Sequence, residues 1–193
     1  LNDLASGTAG ADAALSPPDG TARASHPGHN ASERTFVWGV WLLQLLVLVI
    51  ATWQHEPWRD EVQAWRLAID SPDLRALVVN ARMEGHPLLW HALLQLFGKI
   101  SRSWWIAAAV HTAFASATAW LVLRFAPLPR WQRVLMVFGY YLLYEYAIIV
   151  RAYGPGMFFA FAALAAWTHG PRRPALTALL LVFLANTSVM GLL

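Results

Sequence analysis

Long apolar runs broken by short polar ones dominate this chain. Phe36–Trp53 carries no charge and is about long enough to cross a ~30 Å hydrocarbon core as a helix. Trp104–Phe125, Val134–Val150, Pro155–Thr168 and Leu176–Leu193 follow with the same character. The pattern predicts an all-α polytopic membrane protein with about five transmembrane helices. One extended polar excursion, residues 54–103, interrupts them, and its short helical patterns predict extracytoplasmic juxtamembrane helices.

Within that excursion, Asp60-Glu61-Val62-Gln63 has the form of a helix start, with Asp60 as N-cap and Gln63 three residues on. That helix is expected to end near Asp70. Ser71-Pro72-Asp73 marks a second start, with Pro72 in the first turn and a stop at Gly85. His86-Pro87 opens a third helix, Leu88 to Ile100, which is short for a membrane span.

That third helix decides the topology. If it does not cross, Arg124, Arg130, Arg133, Arg172 and Arg173 all fall on the side of the N-terminal tail, as the positive-inside rule expects. If it does cross, all of them move outside. The first scheme is preferred. It predicts a multi-pass protein of the cell (inner or plasma) membrane, with the N-terminus cytoplasmic and residues 54–103 as the first extracytoplasmic loop.

Residues 1–35 are rich in Ala, Ser, Gly and Pro and are predicted to form a disordered cytoplasmic tail. No small-residue cleavage site follows Trp53, so a cleaved leader is not expected. The chain starts at Leu and stops within an apolar run, and is expected to be the N-terminal part of a longer protein. Residues 36–193 then form the membrane module.

Composition agrees with this picture. Only 13% of the residues are charged against 58% hydrophobic, where a soluble domain has about a quarter charged. Eleven tryptophans suit membrane–water interfaces. The net charge of +3 is spread over short loops, with no basic and aromatic cluster, so nucleic acid is not an expected partner. There is no cysteine, which removes disulfides and thiolate metal sites. Two matches to the glycosylation sequon, at Asn30 and Asn186, fall in the tail and in an apolar run and are read as chance.

Three stretches carry candidate chemistry. Asp60 and Glu61 either cap a helix and favour its first turn, or act on a substrate. Held beside a membrane helix end and flanked by Trp53, Trp58 and Trp65, a partly desolvated carboxylate can serve as a general base. Glu84 and His86 lie in the same excursion. With the Asp60 pair they form an oxygen- and imidazole-rich set suited to a divalent ion or a proton relay, although no tight metal-binding spacing is present. His91 is taken as an interfacial residue. Glu145 and Arg151, among tyrosines that include Tyr153, are costly near a membrane. They either pair for structure, or Arg151 receives a phosphate through its guanidinium fork.

The order of these features resembles the N-terminal half of the membrane module of GT-C glycosyltransferases. It is most similar to the protein O-mannosyltransferase and aminoarabinose-transferase group and their bacterial relatives. The features are a first-loop Asp-Glu, a His-Pro-Leu start to a Leu/Trp/His-rich helix, a helix ending in Arg, and an outer Arg-x-Tyr. They cover roughly Phe36 to Trp167. The resemblance implies that Asp60, with Glu61 beside it, activates the acceptor, and that His86-Pro87-Leu88 lies near the donor. It implies a polyprenyl-phosphate sugar donor and an extracytoplasmic protein, lipid or glycan hydroxyl as acceptor. Arg59, Arg82 and Arg151 are candidates to meet the leaving lipid phosphate. Ala64 stands where the family usually has tyrosine, Leu88 replaces a second proline, and Gly154 stands where many members carry an acid. No cofactor is required by this pattern, with a divalent metal as the open option. A polytopic transporter or lipid flippase is the alternative, with Glu145 and Arg151 lining its path. A membrane scaffold in which Asp60 is only a cap is the third.

Overall fold

A computed structural model describes residues 27–169 and 173–187. Among them every regular element is helical. The elements are α1 (Pro27–Gln54), α2 (Arg59–Asp70), α3 (Leu74–Asn80) with a 3-10 turn (Ala81–Met83), α4 (Leu89–Gly98), α5 (Trp104–Phe125), α6 (Arg130–Val137), a π turn (Tyr141–Glu145), α7 (Tyr153–Thr168) and α8 (Pro174–Ala185). Among the described residues, two helices are long and apolar enough to cross a membrane, Ala31–Gln54 within α1 and Trp104–Phe125.

α1 and α5 run antiparallel. At one end Trp53 stacks on Trp105 with ring centroids 4.9 Å apart. At the other, Trp38 and Trp41 meet Trp120, and Glu33 accepts from Arg130 Nε at 2.8 Å. The excursion between them therefore leaves and returns at the same end. α4, with ten residues, is about 15 Å long and does not traverse the bundle.

α7 packs on α5 through Phe114 against Phe158 and Phe159, and Phe159 meets Phe183 of α8. His169 lies against Phe125, while Leu89 N donates to Asn186 O. These contacts place the start of α7 and the end of α8 at the excursion end. There Trp65 and Ala68 of α2, Trp90 and Leu94 of α4, Ala107 and Ala108 of α5 and Val150 share one buried cluster. This cluster fixes the short helices on the end of the bundle.

Several boundaries differ from expectation. Residues 27–35, assigned to a disordered tail, are helical. The physical reason is tertiary: Glu33 pairs with Arg130 and, at 2.6 Å, with Arg133. The remaining tail (1–26), Arg172 and residues 188–193 lie outside the described residues. Val134–Val150 is not a continuous helix. α6 stops at Val137 beside Gly139, a π turn follows, and Ala147–Arg151 is non-helical. Asp60 is not the N-cap of α2. Trp58 holds that position, and Glu61 reaches back from the third helical residue to accept from Trp58 N at 2.5 Å. Asp73 caps α3 by accepting from Ala76 N at 2.7 Å, so Pro72 precedes the cap instead of following it. Gly85 has φ +68°, which ends the 3-10 turn in the left-handed region that glycine favours.

Candidate functional site

The site is built around a non-helical strip of backbone. Ala147, Ile148, Ile149 and Val150 are all buried, and buried backbone outside a helix needs partners for its polar groups. Two ionisable side chains supply them. Glu61, 1% exposed, accepts from Val150 N at 2.5 Å. His111 of α5, fully buried, places Nδ1 3.2 Å from Ala147 O and Nε2 3.1 Å from Arg151 O. Glu61 also accepts from Trp58 N, and its Oε2 lies 2.9 Å from His55 Nε2. One carboxylate thus ties the end of α1, the start of α2 and the strip before α7.

Gly154 makes the lower grip possible. A Cβ there would lie 2.3 Å from His111 Nε2, well inside contact distance. The start of α7 can approach the imidazole only without a side chain.

Held this way, Arg151 projects into a cleft of about 190 Å³. Its lining includes Asp60, Gln63, Glu84, His86, Trp90, His91 and Tyr153. Arg151 Nη2 donates to Asp60 Oδ2, and the guanidinium lies 5.9 Å from the Trp58 ring centroid. Gln63 Nε2 donates to Glu84 Oε1 at 2.7 Å. Among the described residues, Asp60 Oδ1 accepts from no protein donor, and the side chain is 66% exposed.

The inner wall of the cleft is different. Trp90 and His91 are buried, yet the indole N–H and both imidazole nitrogens have no protein partner. Arg151 Nε is in the same position. A buried polar group without a partner costs about 1–3 kcal/mol, so these groups are available to a polar ligand or to water. Burial pushes the His91 imidazole below its ordinary value, aided by His86 and opposed by Glu84. It is therefore neutral at pH 7, with one nitrogen donating and the other accepting.

Of the residues predicted from sequence, Asp60, Glu84, His86, Arg151 and Tyr153 come together here. Glu61 lies beside the cleft with both oxygens engaged. Arg59 is exposed and does not line it. Glu145 also lies outside and accepts from Tyr140 Oη at 3.0 Å; it does not pair with Arg151. Among the described residues no group of three acids and histidines converges to hold a metal ion.

Sequence reasoning missed Trp90, the inward role of His91, and His111. The last had a signal: a lone histidine within an apolar helix is a functional or structural centre by default. Neither known protein families, nor curated proteins, nor solved structures yield a match to this chain.

Proposed function

We propose that this chain belongs to a membrane glycosyltransferase that moves a sugar from a polyprenyl-phosphate donor to an extracytoplasmic hydroxyl on a lipid, glycan or protein. The observation that carries this reading is convergence. Asp60, Glu84 with His86, and Arg151 with Tyr153 come from three separate stretches and line one cleft with unpartnered buried donors. Such a concave site with a few converging polar groups suits a small ligand.

The cleft sits at one end of two membrane-length helices. Leu42, Leu43, Leu46, Val49 and Ile50 of α1 are exposed, Leu46 to 56%, which suits contact with lipid. Arg124, Arg130 and Arg133 gather at the opposite end, which favours a cytoplasmic position for that end in a multi-pass arrangement.

In the reaction, Asp60 takes the proton of the acceptor hydroxyl through its free Oδ1. The acceptor oxygen bonds to the anomeric carbon as the bond from that carbon to the lipid phosphate oxygen breaks. The electron pair leaves on the phosphate, and the anomeric centre inverts. Arg151 anchors Asp60 and brings positive charge towards the leaving phosphate. No step is assigned to a metal ion.

The test uses a strain in which the gene is deleted, with extracytoplasmic glycans and glycolipids profiled by mass spectrometry. A sugar should vanish and return with wild type. Asp60→Asn, at matched membrane levels, should restore it at least about 100-fold more slowly. Full restoration by Asp60→Asn removes the general base.

A transporter or flippase is the second reading, and one observation favours it. Gln44, midway along α1, is fully buried with both amide atoms unpartnered. Transport predicts that Gln44→Leu stops lipid movement while Asp60→Asn spares it.

A further inference from the structure

Opposite the cleft, at the other end of α1 and α5, lies a basic cup. Arg34 on α1 and Arg124 on α5 flank a cavity of about 390 Å³, walled on one side by Trp38 and Trp120, whose ring centroids lie 4.4 Å apart. Neither Arg34 nor Arg124 has an acidic partner among the described residues. Glu33 lines the same cavity but is committed to Arg130 and Arg133. Among the described residues, Arg34, Arg124, Arg130 and Arg133 thus share this end with Glu33.

Trp120 also borders a second cavity, of about 690 Å³, which runs between α1 and α5 as far as Trp53 and Trp105. Its walls are almost wholly apolar. On the α5 side Ala109, Ala113 and Ala117 recur at every fourth position and leave the groove open. From Trp105 to Trp120 the groove follows about 22 Å of helix, more than the ~15 Å covered by one leaflet.

We infer that cup and groove are one site for an anionic phospholipid, with its phosphate between Arg34 and Arg124 and an acyl chain along the groove. The occupant must bring negative charge to the cup and hydrocarbon to the groove. An anionic phospholipid does both in one molecule. A free phosphate leaves the groove uncovered. A polyprenyl-phosphate donor needs its phosphate at the cleft, which is at the other end. The site rests on the membrane placement of α1 and α5 and not on the transfer reaction.

The experiment uses the full chain extracted from membranes and exchanged into nanodiscs of phosphatidylcholine with a minority of phosphatidylglycerol. Native mass spectrometry then counts retained lipids. Wild type should retain phosphatidylglycerol in preference. Each of Arg34→Gln and Arg124→Gln should weaken retention about fivefold, and their combination more. Ala113→Leu, which fills the groove, should lose the lipid while keeping its helicity. Equal retention of both lipids, unchanged retention in the double variant, or a lipid-free dimer seated on α1 and α5 overturns the site. Recovery of the chain in the soluble fraction overturns the membrane placement as well, which separates the two failures.

Discussion

Asp60 and Glu61 are neighbours with opposite surroundings. Asp60 is largely exposed and meets Arg151 at the cleft mouth, whereas Glu61 is buried and holds two backbone N–H groups. Exposed ion pairs contribute about 0–1 kcal/mol, so Asp60→Asn should barely change thermal stability. Glu61→Ala leaves Trp58 N and Val150 N without partners, at about 1–3 kcal/mol each. Melting curves of both variants in the same detergent check this split, and an equal loss in the two would remove the division of labour. His91 yields a pH prediction. Its folded-state value is lowered by burial, so the folded chain resists a proton that the unfolded chain accepts below about pH 6.5. Stability is then fully present above that pH and falls as acid is added, until the folded-state value is reached. Glu84 and His86 act on His91 through their charge, so the useful quantity is the difference between wild type and His91→Gln. Melts between about pH 5 and 8 should show a shallower acid slope in the variant.

Between α6 and α7 the chain gives up helical hydrogen bonds, and His111 and Gly154 compensate as a unit. Gly154→Ala drives a methyl against the imidazole and should cost about 1–3 kcal/mol. His111→Ala frees that space but strips Ala147 O and Arg151 O of their contact. The double variant should lose less than the sum of the singles, and simple additivity in a thermal double-mutant cycle would refute the coupling. The same strip shows where sequence reasoning reaches its limit. α5 was readable from Trp104 to Phe125, and α2 to its end at Asp70, because hydropathy and polar punctuation are local signals. The broken segment from Val134 to Val150 was not, because averaged hydropathy is blind to which N–H bonds which carbonyl; Gly139 was the one local sign. Contacts such as Glu61 with Val150 and Asp60 with Arg151 join positions 89 and 91 residues apart, beyond any local pattern. Chemistry-bearing residue types still pointed to the cleft. Asp60, Glu84, His86 and Arg151 line that one cleft.

At the scale of the whole chain, α1, α5, the broken segment, α7 and α8 run between two unlike ends. One holds the cleft between α2, α4 and the start of α7. The other holds Glu33, Arg124, Arg130 and Arg133. A membrane whose inner face favours arginine should orient such a molecule with the cleft outside. The absence of native cysteine makes this directly measurable, since one introduced thiol is the only one in the chain. Met83, 86% exposed, marks the cleft end, and Trp131, 62% exposed, marks the arginine end. In intact cells, Met83→Cys should react with a membrane-impermeant maleimide, while Trp131→Cys should react only after permeabilisation. Labelling of both in intact cells would deny a sealed arginine end. The reverse pattern would put Asp60 and Arg151 in the cytoplasm, where an extracytoplasmic acceptor never meets them. Orientation and the proposed chemistry stand together, because the proposed proton acceptor Asp60 and its partner Arg151 lie at one end of the bundle.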